Sequence, residues 1–289
     1  MMEGGLSTEK LRPVWQSILD VYKPFAEICK RHRLRVWASA GTVLGAVRHK
    51  GFIPWDDDFD VMMPRDDYER FLLVFASELP QYLQVVSINN TPGYTLPFVK
   101  IQETRREIIH AVEMKIGYEL PQGIYVDVYP LDGFIPDKSK LASRFWIYVY
   151  KCVRAWYYRE SYPNSVKTLA QKAFGCAGSL LLPGVHCARD MEQHLLRIQT
   201  SIPFEGAPYC TYYEPFASIP KYFPMSAFRA TAIMPFEDIE LPIPIDYKAY
   251  LTAEYGADYM TPPPPEKRIS THWNVAAVPW KYGSQEKDR

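Results

Sequence analysis

Apolar residues recur at Leu11, Val14, Ile18, Val21, Phe25 and Ile28, at spacings of three and four that place them on one stripe of an amphipathic helix. Ser7 is its candidate N-cap, with Glu9 in the first turn. Pro24, which lacks a backbone donor, predicts a kink or a split. The run Lys30-Arg31-His32-Arg33 closes the helix and reads as a solvated basic turn that complements the helix dipole, with phosphate binding as the competing reading. From residue 35 the texture changes to a short strand (RVWASA), a Gly-Thr turn, a small helix over 43–48 and an acidic strand (DDDFDVMM). Residues 66–78 follow as a second amphipathic helix presenting Phe71, Leu72 and Phe75, and three more strands are expected at 82–88, 96–101 and 124–129.

Strands interleaved with a few helices predict an α+β fold whose catalytic core spans about residues 30–135. Between 138 and 201 the pattern turns helical, in three pieces separated by Tyr162-Pro163-Asn164 and Pro183-Gly184. Beyond lie expected strands at 230–234 and 239–243 and a helix over 247–255 capped by Asp246. The prolines at 262–265 are expected to end regular structure, and the charged tail from Gly283 to fray. We therefore divide the chain into a core with its N-terminal helix, residues 1–135, and a helical and Pro-rich region, residues 136–289, that completes the same domain and shapes an acceptor site.

Composition narrows the function. Thirty-three Lys+Arg against 33 Asp+Glu leave a formal charge of zero, without the basic excess of a general nucleic-acid binder. The 47% hydrophobic and 23% charged content is that of a globular chain. Five cysteines, odd in number and without a C-x-x-C pair, indicate no disulfide framework, and Cys176, His186, Cys187 and His194 match no common zinc spacing. The N-terminal MMEGGLSTEK lacks the basic patch and apolar stretch of a signal peptide, and GCAGSLLLPGV is too short to span a bilayer, so a soluble, cytoplasmic protein is expected.

The strongest chemical signal is ASAGTVLGAVRHKGFIPWDDDFD, residues 38–60, which packs four aspartates into five positions. So many carboxylates are tolerable in a folded interior only with a compensating cation, and the oxygen-rich set suits a hard divalent ion. In an extended segment Asp58 and Asp60 project to one face, Asp56 with them and Asp57 away. Upstream, Gly41 and Thr42 sit where a strand gives way to a helix, a place for a phosphate. Downstream, Asp127 stands alone in the apolar strand IYVDV, costly to bury and suited to be a third ligand.

Hydrophobic-Gly-Thr, then Asp-x-Asp, then a single strand Asp resembles the nucleotidyltransferase superfamily, and GTVLGAVRHKGFIPWDDDFDVMM is similar to the signature of the LicD family. GIYVDVYPLDG (123–133) and, more loosely, YLTAEYGADYMTPPPPEKRISTHW (250–273) agree. The resemblance implies a nucleotidyltransferase-like mixed β-sheet and a metal-dependent transferase that moves phosphocholine or a phospho-alditol from a CDP-linked donor to a glycan hydroxyl, releasing CMP. It implies Asp58, Asp60 and Asp127 as ligands of magnesium or manganese and as catalytic residues, with Gly41 and Thr42 in the phosphate turn. Arg48 would neutralise donor phosphate or else pair with an aspartate of the cluster; Lys50 and Lys100 are candidates of the same kind. Trp55 would face a quaternary ammonium, helped by Tyr125, Tyr129 and Trp273, or simply pack; His272 is a candidate from the tail. The acceptor would be a cell-surface glycan or lipid-linked precursor, met at the inner membrane face. Competing readings are transfer of a nucleoside monophosphate with pyrophosphate release, and a silent glycan- or nucleotide-binding protein.

Overall fold

The computed structural model describes residues 8–91, 94, 96–107, 123–136, 173, 176–177, 188–212, 221–268 and 281–282. Helix α1, Thr8–Arg31, forms as one element that neither Pro13 nor Pro24 divides. Its predicted stripe is buried in full, from Leu11 to Ile28. The N-cap expected at Ser7 lies outside the described residues.

The central sheet runs β1 (Trp37–Ala38), β2 (Asp60–Pro64), β6 (Tyr125–Phe134), β4 (Val99–Glu103), β3 (Leu83–Val86), with β2 and β6 parallel and the other neighbours antiparallel. The fold is α+β, a mixed sheet flanked by helices, as the sequence pattern predicts. Helix α2, Ala40–His49, joins β1 to β2, and α3, Arg65–Glu78, follows β2. Only two residues of the expected six-residue first strand pair, because Trp37 and Ala38 meet Met62 and Val61 before Ala40, with positive φ, turns the chain into α2. Alternation along β6 sends Val126 and Val128 into the core with Phe25, Phe71 and Phe75, while Asp127 takes the opposite face. Phe25 meets Phe71 edge-on at 5.3 Å, which ties α1 to α3.

The sheet is not confined to residues 30–135. β6 continues past Tyr129 to Phe134, and β7 (Tyr209–Thr211) pairs with that extension and with β8 (Phe223–Pro224). The close approach needs Gly133, where a Cβ would lie 2.1 Å from the Pro203 carbonyl oxygen. The hairpin β9 (Thr231–Phe236) and β10 (Ile239–Pro244) forms as expected and docks on the loop after α2, where the Phe52 amide donates to Glu237 Oε1 at 3.1 Å. Of the predicted helical region, α4 (Ala188–Gln199) is described, and the two breaks proposed at 162–164 and 183–184 lie outside the described residues. Helix α5, Tyr247–Tyr255, is capped as predicted, the Ala249 amide donating to Asp246 at 3.1 Å. The prolines do not end regular structure: Pro265–Lys267 forms a 3-10 turn, and β11 (Lys281–Tyr282) returns to pair with β5 (Arg106–Glu107).

One buried ion pair locks the start of α3 to β6. Arg65 meets Asp132 through two bonds, Nε at 2.8 Å and Nη2 at 2.6 Å, with the carboxylate side chain 2% exposed. Asp132→Ala would leave the guanidinium buried without its partner and is expected to cost about 3–5 kcal/mol in urea unfolding. A loss below about 1 kcal/mol would mean that the pair is dispensable to the fold.

Candidate metal and phosphate site

The site begins with strand register. β2 and β6 pair so that Asp60 stands beside Asp127, and β4 places Lys100 on the other side of Asp127. Lateral neighbours in a sheet point to the same face, so two carboxylates and an ammonium form one row. Lys100 is 3.0 Å from Asp127 Oδ1 and 3.3 Å from Oδ2, and its ammonium rests 3.2 Å from the centre of the Tyr125 ring. Lys100 is thus a buried counter-ion of Asp127.

Asp60 is in a different position. Burial, and after it the charges of Asp58, Asp127 and Asp56, push its carboxyl well above the usual carboxylate range, with Lys100 pulling the other way. Its Oδ1 is buried with no hydrogen-bond partner among the described residues. Its backbone is fixed, the Asp60 amide donating to the Thr42 hydroxyl at 2.9 Å. Trp15 on α1 donates to the Asp56 carbonyl at 2.8 Å and stacks on Phe52 at 5.1 Å, holding the acidic loop from the other end.

Asp56, Asp58 and Asp60 all line one cavity of about 270 Å3, while Asp57 is buried elsewhere, the alternation the extended segment predicts. Ala40 and Gly41 complete this side. At Gly41 a Cβ would lie 2.6 Å from Asp56 Oδ2, so a larger residue there would displace the Asp56 carboxylate. The start of α2 is satisfied internally: the Ala40 amide donates to the Tyr250 hydroxyl at 2.9 Å, and the Thr42 amide to the Ser39 carbonyl at 3.0 Å. The Thr42 hydroxyl, an expected phosphate ligand, accepts from the Asp60 amide and so braces that backbone.

The remaining lining is Tyr129, Tyr212, Lys221, Glu254 and Tyr255. Lys221 pairs with Glu254 at 2.6 Å, and the Tyr212 hydroxyl donates to the same carboxylate at 3.1 Å. The cation of the lining is therefore committed to Glu254, and the cavity keeps an excess of carboxylates. Of this wall, sequence reasoning named Tyr129 and missed Tyr212, Lys221, Glu254 and Tyr255, whose only signal is that Glu254 and Tyr255 fall inside the loosely matching tail.

The other candidates separate. Arg48 makes no ion pair with the acidic cluster; its Nη1 donates to the Tyr259 carbonyl at 3.0 Å and its Cζ lies 5.9 Å from the Trp55 ring centre. Burial is the largest influence on it and pulls its pKa down, with Asp56 acting in the opposite direction. Lys50 is exposed at the left-handed C-cap of α2, away from the cavity end of that helix. His49 lies edge-on to Trp55 at 6.2 Å, its pKa lowered by burial and then by Arg48. His272 and Trp273 lie outside the described residues.

Among the described residues no three acidic, His or Cys side chains converge tightly enough to make a finished metal site. The donor set still fits a hard cation, because its oxygens come from carboxylates and Asp60 presents a desolvated oxygen that no donor among the described residues meets.

The family model described as LicD/FKTN/FKRP, nucleotidyltransferase domain, matches residues 33–151, the stretch that holds Gly41, Asp58, Asp60, Lys100 and Asp127. The lipopolysaccharide cholinephosphotransferase LicD of Haemophilus influenzae is 28% identical over 270 residues, covering 90% of this chain and 95% of that protein. An uncharacterized protein of Rickettsia typhi is 34% identical over 135 residues, which span 45% of this chain and 37% of the relative. A counterpart from Rickettsia prowazekii is 28% identical over 133 residues, 41% of this chain and 46% of its own length.

A carboxyl whose folded-state pKa is raised gives stability that is present at low pH and lost as pH rises through that pKa. In metal-free protein, Asp60→Asn is therefore expected to melt above the wild type at pH 7, with the gap closing as pH falls towards 4. Equal melting temperatures at both pH values would show that Asp60 carries no desolvation penalty.

Proposed function

Because residues 33–151 match the LicD/FKTN/FKRP family model and the chain is 28% identical to a LicD protein over 90% of its length, we propose that it is a LicD-type transferase moving a phospho-substituent from a CDP-activated donor to a hydroxyl of a cell-surface glycan or its precursor, releasing CMP. The relative from Haemophilus influenzae is named for cholinephosphate and lipopolysaccharide, which favours phosphocholine over a phospho-alditol as the transferred group. The observation that carries the reading is the acidic wall: Asp56, Asp58 and Asp60 in one cavity, beside Asp127 on the adjoining strand.

Asp58, Asp60 and Asp127 are the proposed ligands of magnesium, with manganese as the substitute. A divalent ion held there would stabilise charge on the donor phosphates and lower the pKa of the attacking hydroxyl. The chain's own residues set the geometry. Thr42 fixes the Asp60 backbone, Trp15 fixes that of Asp56, and Lys100 restrains Asp127 by its ion pair. The acceptor oxygen attacks the donor phosphorus remote from the nucleoside, the bond from that phosphorus to the bridging oxygen breaks, and CMP leaves with the electron pair. The hydroxyl proton passes to a carboxylate of the wall. No described helix is long and apolar enough to cross a membrane, so a lipid-linked acceptor would be met at a surface.

The test is to incubate the protein with a lipopolysaccharide acceptor and, separately, CDP-choline, CDP-ribitol, CDP-glycerol or CTP, with and without Mg2+, following CMP and pyrophosphate by mass spectrometry. Magnesium-dependent CMP release from CDP-choline is expected, falling at least about a hundredfold in Asp58→Ala and in Asp60→Ala. Pyrophosphate from CTP, or CMP release indifferent to both metal and these substitutions, would overturn the reading.

A further inference from the structure

Trp55 lies within reach of two cations of the chain itself. Its indole already carries two guanidiniums, with Arg48 Cζ 5.9 Å and Arg268 Cζ 5.1 Å from the ring centre. Other arginines of the chain answer carboxylates, as Arg35 does Asp67, Arg65 does Asp132 and Arg105 does Glu103. Among the described residues neither Arg48 nor Arg268 has a carboxylate at ion-pairing distance. Each is held instead by a backbone oxygen: Arg48 Nη1 donates to the Tyr259 carbonyl at 3.0 Å, and Arg268 Nε to the Pro263 carbonyl at 2.8 Å. One further bond, from Arg48 Nε to His49 Nδ1 at 3.4 Å, fixes the orientation of the first fork.

A guanidinium has five N–H donors, so these anchors leave most of both forks unused. They also hold two like charges near each other, and Arg268 is one of the influences that pull the Arg48 pKa down. The pair meets on Trp55, next in the chain to the cavity-lining Asp56, and Asp56 and Tyr255 of that lining act electrostatically on Arg48. Prepositioned, mutually repelling guanidiniums with free donors call for an anion whose oxygens they share, and phosphate oxygens match the planar fork.

We propose that Arg48 and Arg268, braced on Trp55, form a clamp for the diphosphate of the donor, next to the carboxylates. The clamp rests on the preceding reading only for the CDP-linked identity of that donor. It removes Trp55 as a seat for choline, because a third cation at this indole would be repelled by the two already there.

The probes are inorganic pyrophosphate, CDP-choline and choline, titrated calorimetrically into the full chain as wild type, Arg48→Ala, Arg268→Ala and Arg268→Lys. Either alanine variant is expected to weaken pyrophosphate and CDP-choline about tenfold and leave choline unaffected, while Arg268→Lys recovers only part because it keeps the charge and loses the fork. The melting temperature of ligand-free Arg268→Ala is expected to stay at or above that of the wild type, since a repelling charge is removed. No pyrophosphate binding by the wild type, or unchanged affinities in both alanine variants, would overturn the clamp; so would a fall in melting temperature with affinities intact, the mark of a bracing role alone. In turnover, Arg268→Ala should raise the KM for the donor. A rise confined to the acceptor's KM would assign the anion to phosphate on the glycan and overturn the donor assignment. Pyrophosphate binding through both arginines without turnover of CDP-choline would keep the clamp and defeat the proposed reaction. Turnover with an unchanged donor KM in Arg268→Ala would do the reverse.

Discussion

The parallel pairing of β2 with β6 puts Asp60 and Asp127 side by side at one register position, and much of the site follows from that constraint. Neighbouring strands are about 4.8 Å apart, a spacing at which two carboxylates in a desolvated sheet repel strongly. Lys100, next along the same row, answers Asp127, and Asp60 keeps a buried oxygen that no donor among the described residues meets. The surrounding packing keeps this arrangement from relaxing: Trp15 and Thr42 grip the backbone of the acidic segment, and Tyr250 grips the first turn of α2. Packing that holds carboxylates together in this way is what the proposed cation site would need.

Charge is sorted rather than balanced. The cavity is acidic, and its lining cation is neutralised by Glu254. The cations left without carboxylate partners among the described residues include Arg48 and Arg268, gathered at Trp55, next in the chain to the cavity-lining Asp56. A substrate with anionic phosphates would meet arginine forks on one side and, through a divalent ion, carboxylates on the other. That sorting suits transfer of a phospho-group, in which negative charge must be held at both the entering and the leaving oxygens.

The carboxylates were legible in the sequence because their signal is local. Alternation in an extended segment is enough to send Asp56, Asp58 and Asp60 one way and Asp57 the other, and a lone aspartate in IYVDV marks itself by its cost. The stripe of α1, the cap of α5 and the β9–β10 hairpin were readable for the same reason. What escaped is non-local. Tyr212, Lys221 and Glu254 reach the cavity from parts of the chain far from the acidic segment, and β7 and β8 form only because β6 outruns its pairing with β4. That the Thr42 hydroxyl braces the Asp60 amide was not readable, because the bond joins α2 to β2 and depends on the fold. Lys50, equally plausible by sequence distance, is carried to the far end of α2.

If the row of carboxylates on β2 and β6 is a cation site, crystals soaked in Mn2+ will reveal it by anomalous scattering. A peak within coordination distance of Asp60 and at least one of Asp58 and Asp127, absent from Asp60→Asn crystals, is the expected result. A peak elsewhere, or none at millimolar Mn2+, would contradict it.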